Sequence, residues 1–139
     1  MKLRLLFSLF ANFLSPFLFS LLRPVLEILP DKPIQKNQNI SYIADLQLLE
    51  YSKDCFYDWH IDAFQSNEGE IRKFSFIILL SDKKDFEGGN LVFFQEKAEN
   101  MLEQGTMIIF PSFYYHKVEP VTKGVRYSLV GWAYGEPYI

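Results

Sequence analysis

This chain of 139 residues has little cysteine, little histidine and no excess of positive charge. Its one cysteine, Cys55, excludes an intrachain disulfide framework and any zinc site built from several thiolates. Because His60 and His116 are the only histidines, a metal site has to combine them with carboxylates. Fourteen lysines and arginines against seventeen acidic residues give a net charge of −3, which argues against nucleic acid as a partner.

Length and composition indicate one folded domain that is mainly β. A chain of 139 residues has the size of an ordinary single domain. With 49% hydrophobic and 22% charged residues, it is neither disordered nor of low complexity. Aromatic residues reach 17%, and this abundance favours strands and a tightly filled interior.

Residues 1–30 form an apolar segment that we expect to be helical. No charge occurs from Leu5 to Leu22, and a helix of that length spans about 27 Å, close to the hydrocarbon thickness of a bilayer. Two interpretations are open: residues 5–22 anchor the protein in a membrane, or the helix packs on the sheet of the domain. Packing is favoured because several polar side chains share one helical stripe, namely Arg4, Ser8, Asn12 and Ser15. A cytoplasmic location is therefore favoured over a membrane-anchored one.

The rest of the chain divides into a polar connector, residues 31–40, and a domain, residues 41–139. Short runs of β-branched and aromatic residues alternate there with turn residues, and no helical period lies between them. This pattern predicts an antiparallel sandwich or open barrel. The predicted strands are Leu46–Tyr51, Phe56–Ile61, Lys73–Leu80, Asn90–Gln95, Thr106–Pro111, Tyr115–Val118 and Val125–Ala133.

His60 and Asp62 carry the sharpest chemical signal in the sequence. In an extended segment, side chains two positions apart leave the same face, so this imidazole and this carboxylate can bind one divalent metal. His116 is the only other histidine and completes a set of three ligands. Two histidines and one carboxylate leave the opposite face of an octahedral ion open, as non-haem Fe(II) oxygenases require. Alternatively, His60 bonds Asp62 at a surface, and His116 is a half-buried histidine among aromatic residues.

Arg126 and Ser128 form a second candidate pair. An arginine on a strand beside the His116 strand can hold a carboxylate through two hydrogen bonds. Ser128 lies two positions further on, shares that face and can add a hydroxyl group to the same oxygen. The alternative, a surface arginine next to Lys123, is less favoured because Tyr127–Trp132 is strongly apolar and aromatic.

A resemblance to a known family rests on several motifs between about residues 45 and 135. They are Leu48–Tyr51 with Tyr57–Asp62, Arg72–Asp82, Phe86–Leu91, Gly105–Ser112, His116–Val121 and Gly124–Trp132. In this order and spacing they resemble the Fe(II)- and 2-oxoglutarate-dependent dioxygenases, in particular the prolyl 4-hydroxylase-like branch. The resemblance implies a double-stranded β-helix, or jelly roll, in addition to the N-terminal apolar helical segment.

The resemblance also implies roles for individual residues. Iron is held by His60, Asp62 and His116, and Arg126 pairs with the distal carboxylate of 2-oxoglutarate. The hydroxyl group of Tyr51 joins that contact. Trp132 matches an aromatic position near the cofactor pocket, although a plain core tryptophan is an equal alternative.

The activity that the resemblance implies is hydroxylation of a C–H bond with O2, while 2-oxoglutarate is decarboxylated to succinate. Ascorbate is a further candidate cofactor. The expected substrate is a peptidyl prolyl residue; another peptidyl residue or a free small molecule are alternatives. A non-catalytic, cupin-like module that binds metal is a third interpretation, and the oligomeric state is left open.

Overall fold

Eleven β-strands and one short 3₁₀ helix, Lys83–Asp85, make up the regular structure of the described residues. The computed structural model describes residues 4–9, 40–44, 46–66, 68–94 and 103–137. No α-helix occurs within these ranges. The strands are β1 Arg4–Leu9, β2 Ile40–Ile43, β3 Leu46–Tyr51, β4 Tyr57–His60, β5 Ile71–Leu79, β6 Phe86–Gly88, β7 Leu91–Phe93, β8 Met107–Pro111, β9 His116–Val118, β10 Val121–Gly124 and β11 Arg126–Gly135.

The larger sheet is built around β11, the longest strand. Its order is β1-β3-β11-β5-β8, and β2 pairs with the end of β11 beyond β3. All pairings are antiparallel, and Arg126 on β11 lies opposite Tyr51 on β3. Strands β5 and β11 run side by side from the Ser128–Leu79 pair to the Gly135–Ile71 pair. This long ladder fixes the inward-facing residues of both strands.

A smaller sheet of three strands, in the order β4-β9-β7, faces the larger one. Strands β6 and β10 form a separate two-stranded ribbon. Residues from both sheets meet in one buried cluster, which includes Leu49, Ile77 and Val130 from the larger sheet and Leu91 and Val118 from the smaller. The protein is therefore mainly β, and its two facing antiparallel sheets agree with the expected jelly roll.

A second apolar cluster occupies the other face of the larger sheet. Phe74 and Phe76 on β5 alternate with the inward-facing residues, and they pack with Leu46 and Ala133. Gly131 on β11 lies opposite Phe76, and a Cβ atom at Gly131 would collide with that ring. The close approach of β11 to Phe76 explains a glycine in the interior of a strand.

The N-terminal prediction needs a correction where the structure describes the segment. Residues Arg4–Leu9 form a strand, not the expected helix, and pair antiparallel with β3 from Arg4–Glu50 to Leu9–Leu46. An edge strand exposes unpaired backbone N–H and C=O groups, and β1 satisfies those of β3. Residues 10–39, with most of the apolar segment, lie outside the described residues. Ile40, assigned to the connector, already begins β2.

Among the described residues, no helix has the length and apolar character that crossing a membrane requires.

The seven predicted strands all occur, with ends that differ by at most two residues wherever the structure describes them. Strands β2, β6 and β10 were not predicted. They have only three or four residues each, and β6 and β10 end in Gly88 and Gly124, so their sequences are typical of turns.

Candidate active site

The three predicted metal ligands come together at one end of the smaller sheet. His60 ends β4, Asp62 follows two residues later, and His116 begins β9. His60 and His116 lie directly opposite each other in the β4–β9 ladder. Opposite residues in antiparallel strands have neighbouring Cβ atoms, and the two imidazole centroids are 4.2 Å apart.

The ligand atoms have the spacing of a metal site. Nε2 of His60 lies 3.4 Å from Oδ1 of Asp62, and Nε2 of His116 lies 3.7 Å from Oδ2. One ligand atom from each residue lies within 4.8 Å of the other two. An octahedral ion with bonds of about 2.1 Å holds neighbouring ligands about 3 Å apart, so small side-chain adjustments suffice.

Backbone carbonyl groups orient both imidazole rings. Nδ1 of His60 lies 2.7 Å from the carbonyl oxygen of Asp58, and Nδ1 of His116 lies 2.8 Å from that of Tyr114. A carbonyl only accepts hydrogen bonds, so each Nδ1 donates its proton and each Nε2 keeps a free lone pair. Burial lowers the pKa of His116, even though the Tyr114 carbonyl and Asp62 oppose this effect. Both rings therefore present the ligating nitrogen to the same point.

The carboxyl group of Asp62 is held in its ionised form. Burial alone raises its pKa, but the polar contacts with His60 and Ser75 and the electrostatic interaction with His116 outweigh burial. The net effect is a pKa below the ordinary value. Ser75 Oγ donates to Oδ2 over 2.7 Å. The carboxylate is thus ready to bind a cation without first losing a proton.

A cavity of about 240 Å³ opens beside these ligands. Among the described residues that line it, Arg72 is the one lysine or arginine. Its guanidinium stacks on Trp132, with Cζ 3.8 Å from the ring centroid, and its Nε donates to the Tyr134 hydroxyl over 2.8 Å. The lining residues are Gln47, Leu49, Tyr51, Tyr57, His60, Asp62, Arg72, Ile77, His116, Val118, Val130 and Trp132.

Arg126, Ser128 and Tyr51 also come together, in the interior of the sandwich. Arg126 is only 1% exposed; its Nη1 donates to Ser128 Oγ over 3.2 Å, and its Cζ lies 5.2 Å from the Tyr51 ring centroid. Its Nη2 is buried and has no hydrogen-bond partner within the described structure. A buried cation with an unused donor is an incomplete anion site.

Tyr51 contacts Arg126 and also lines the cavity of the metal ligands. Tyr51 lines the cavity beside His60 and Asp62, whereas Arg126 lines a second cavity of about 200 Å³ next to Gly88 and Gly89. Burial raises the pKa of Tyr51 to about 12, although the charge of Arg126 acts in the opposite direction. Its hydroxyl group therefore keeps its proton and can donate a hydrogen bond at neutral pH.

Trp132 agrees with both sequence interpretations. It belongs to the buried core cluster, and it also lines the cavity. Its indole N–H, which makes no hydrogen bond of good geometry, still helps to lower the pKa of Asp62.

The sequence interpretation gave no role to Arg72, Ser75 and Ser112, although the quoted motifs contain them, and the structure places all three around the ligands. Ser75 and Ser112 are fully buried, and their hydroxyl oxygens lie 2.9 Å apart. Serine is common in strands and turns, so neither residue has a local signal. Ser75 lies in the inward-facing register of β5, and that alternation is the one pattern that could have indicated it.

Two facing sheets that gather two histidines and one carboxylate beside a cavity are typical of non-haem Fe(II) oxygenases. Residues 46–134, more than half of the chain, match the 2OG-Fe(II) oxygenase superfamily. The chain belongs to that superfamily.

Two curated relatives are hydroxylases. The chain is 36% identical to a PKHD-type hydroxylase of Idiomarina loihiensis over 101 residues, which cover 71% of this chain and 46% of the relative. It is 44% identical to a PKHD-type hydroxylase of Synechococcus over 85 residues, which cover 60% of this chain and 37% of the relative. The chain thus spans less than half the length of these relatives.

A solved structure supports the fold. The viral collagen prolyl hydroxylase of Paramecium bursaria Chlorella virus-1 aligns with 98% of this chain and 75% of its own, with a TM-score of 0.69. Its sequence identity of 17% makes this a likeness of fold alone.

Membership in the superfamily implies Fe(II) and 2-oxoglutarate, and the residues present fit both. The ligand set of His60, Asp62 and His116 matches the nitrogen and oxygen preference of Fe(II). Nη2 of Arg126, which has no partner within the described structure, can donate a hydrogen bond to a carboxylate of 2-oxoglutarate.

Proposed function

We propose that the protein is an Fe(II)- and 2-oxoglutarate-dependent dioxygenase that hydroxylates a C–H bond of a peptidyl prolyl residue. One observation carries this proposal: two lone-pair-bearing Nε2 atoms and an ionised carboxylate converge beside a cavity that Tyr51 also lines. When bound, Fe(II) and 2-oxoglutarate supply the oxidation of the C–H bond by O2, with release of succinate and carbon dioxide.

The residues of this chain bind and orient the reactants. His60, Asp62 and His116 hold the metal from one side and leave the side towards the cavity free for other ligands. Arg126 and Ser128, together with the protonated hydroxyl of Tyr51, neutralise and position the distal carboxylate of 2-oxoglutarate. The apolar walls of the cavity, such as Ile77 and Val130, limit the access of water to the reacting groups.

Exposed apolar side chains near the cavity support a polypeptide substrate. Arg72 lines the cavity, and the exposed ring of Phe64 is 5.4 Å from its Cζ atom. Ile61, between two of the ligands in sequence, is half exposed as well. Exposed apolar side chains beside a cavity are typical of a surface that binds an apolar or proline-rich chain. The collagen prolyl hydroxylase with the same fold gives a precedent for a polypeptide substrate.

The proposed iron site is tested by anaerobic addition of Fe(II) and 2-oxoglutarate to the purified protein. We expect a visible metal-to-ligand charge-transfer band, followed by succinate release when oxygen is admitted. His60→Ala, Asp62→Ala and His116→Ala should each abolish both signals, while Asp85→Ala, at an exposed acidic residue, should leave them intact. Wild-type protein that binds Fe(II) but gives neither band nor succinate would refute the proposed chemistry.

The role of Arg126 has a separate test. Arg126→Ala should weaken 2-oxoglutarate binding by about 2–4 kcal/mol, because a buried charge-assisted pair loses one partner. Titration of the charge-transfer band with 2-oxoglutarate measures this effect, and the affinity for Fe(II) alone is the control. An unchanged affinity for 2-oxoglutarate would contradict the proposal that Arg126 binds this co-substrate.

The substrate is tested with a proline-rich peptide, the same peptide with alanine in place of proline, and free proline. Mass spectrometry should detect one added oxygen atom on the proline-rich peptide only. Ascorbate is included and then omitted, since we propose it as an auxiliary reductant. Oxygen added to the alanine peptide or to free proline would contradict the prolyl assignment and favour another peptidyl residue or a small molecule.

A further inference from the structure

Two buried serines connect the Asp62 carboxylate to the larger sheet. Ser75 on β5 and Ser112, just after β8, are each 0% exposed. Ser75 Oγ lies 2.7 Å from Asp62 Oδ2, and Ser112 Oγ lies 2.9 Å from Ser75 Oγ. The backbone joins the same residues, because the Asp62 N–H donates to the Ser112 carbonyl over 2.8 Å. Asp62 is thus held through both its side chain and its backbone.

The direction of this hydrogen-bond chain follows from the number of protons. The ionised carboxylate of Asp62 can only accept, so Ser75 must donate its single hydroxyl proton to Oδ2. Ser75 Oγ can then only accept from Ser112, which makes Ser112 the donor. The chain therefore runs from Ser112 through Ser75 to Asp62. Hydrogen bonds that point in one direction polarise and strengthen one another in a buried site.

We infer that Ser75 is a positioning residue that makes Asp62 bind the metal through one oxygen atom, Oδ1. Its hydroxyl group donates to Oδ2, which also lies 3.7 Å from Nε2 of His116, and so fixes the plane of the carboxylate; within the described structure, Oδ1 accepts from no serine and faces Nε2 of His60 at 3.4 Å. Ser112 fixes the Ser75 hydroxyl in turn. This inference rests on the proposed function, since it concerns the same metal site.

The number of Asp62 oxygen atoms that bind the metal decides how many coordination positions are left for other ligands. An octahedral ion bound by two imidazoles and one oxygen keeps three positions, enough for a chelating keto acid and O2. If both oxygens of Asp62 bound, only two positions would be left, and keto acid and O2 would compete for them. The Ser75 hydrogen bond opposes binding of the metal through both oxygens of Asp62.

The experiment compares Ser75→Ala with two reference variants. Ser75→Thr keeps the hydroxyl group and suits a strand, whereas Ser81→Ala removes a buried serine that bonds only backbone groups, near Val125 and Tyr127. Co(II) serves as the probe because its visible spectrum reports the coordination number and its titration gives an affinity. We expect Ser75→Ala to lose about 10- to 100-fold in Co(II) affinity and to show an altered spectrum. Ser75→Thr and Ser81→Ala should resemble the wild type.

A second measurement is the ratio of succinate to hydroxylated product. It should rise in Ser75→Ala and stay unchanged in both reference variants. Wild-type affinity and spectrum in a folded Ser75→Ala protein would overturn the inference. If Ser75→Ala does not fold, Ser112→Ala decides: a smaller loss of affinity supports the inference, and an unchanged affinity overturns it. Wild-type protein that binds no Co(II) would refute the proposed metal site itself.

Discussion

Tyr51 and Arg126 face each other across the β3–β11 ladder, and both are almost completely buried. The guanidinium carries a charge into the core, and Ser128 satisfies only part of its donors. Burial keeps the Tyr51 hydroxyl group neutral, so this side chain does not supply a negative charge to Arg126. Arg126 can therefore still accept an anion as a hydrogen-bond and charge partner.

The raised pKa of Tyr51 gives a prediction for stability at alkaline pH. Its pKa is about 12 in the folded protein against 10.0 ordinarily, so the folded state keeps a proton that the unfolded state releases. The stabilisation by this group is complete below pH 10 and is lost as the pH rises towards 12. Between pH 9 and pH 11.5 the wild type should lose about 2 kcal/mol of unfolding free energy through this group, and Tyr51→Phe should remove that loss. Urea unfolding at pH 9 and at pH 11.5 measures this difference.

Tyr115→Phe is the matched control for that prediction, since Tyr115 is partly exposed on the surface. The same alkaline loss in Tyr51→Phe as in the wild type would show that Tyr51 does not hold its proton in the core.

At the residue scale, the sequence identified groups whose chemistry is rare and missed those whose chemistry is common. Two histidines in the whole chain made His60 and His116 conspicuous, and the spacing to Asp62 followed from the period of a strand. Ser75 and Ser112 could not be recognised, because their function depends on strands β5 and β8 that are distant in the chain.

The turn between β6 and β7 shows how an element can position a functional side chain. Gly88 and Gly89 both have positive φ angles, of 75° and 63°. A Cβ atom at Gly89 would lie 2.9 Å from Cδ of Arg126, so the turn packs directly against the stem of that arginine. Glycine at this position lets the turn close and Arg126 keep its place.

Gly89→Ala should therefore affect both the fold and the Arg126 site. We expect a loss of about 1–3 kcal/mol in unfolding free energy, from the positive φ angle and the contact with Arg126. We also expect weaker binding of 2-oxoglutarate. Chemical unfolding and the charge-transfer titration measure the two effects. Gly105→Ala is the control, since its φ is also positive but nothing lies within 4 Å of its Cβ position. Equal 2-oxoglutarate affinities in the two variants would contradict the contact.

At the element scale, long strands with alternating patterns were predicted almost to the residue, as Leu46–Tyr51 illustrates. The failures have physical causes. Strands β6 and β10 are held by each other rather than by their own propensity. In β1, the apolar run fits a helix as well as a strand, and the free edge of β3 decides between them.

At the scale of the whole molecule, ligand binding should stabilise the sandwich, because the proposed metal site links the smaller sheet to β5 through Asp62 and Ser75. A ligand that binds only the folded state, at about 100 times its Kd, adds about 2.7 kcal/mol. Mn(II) with 2-oxoglutarate should therefore raise Tm by on the order of 10 °C. Differential scanning fluorimetry measures this shift, with EDTA as the control. His116→Ala should show no such shift; an equal shift would place the metal elsewhere.

The pairing of His60 with His116 has a consequence for protein synthesis. The two residues meet across β4 and β9, and β5 to β8 lie between them in the chain. On the ribosome, β4 emerges long before β9, so a nascent polypeptide lacks one of the three proposed iron ligands until translation has passed His116. Under the proposed function, iron loading is therefore a late event that follows synthesis of the sheets, and prematurely terminated products that end before β9 would be unable to carry the ion.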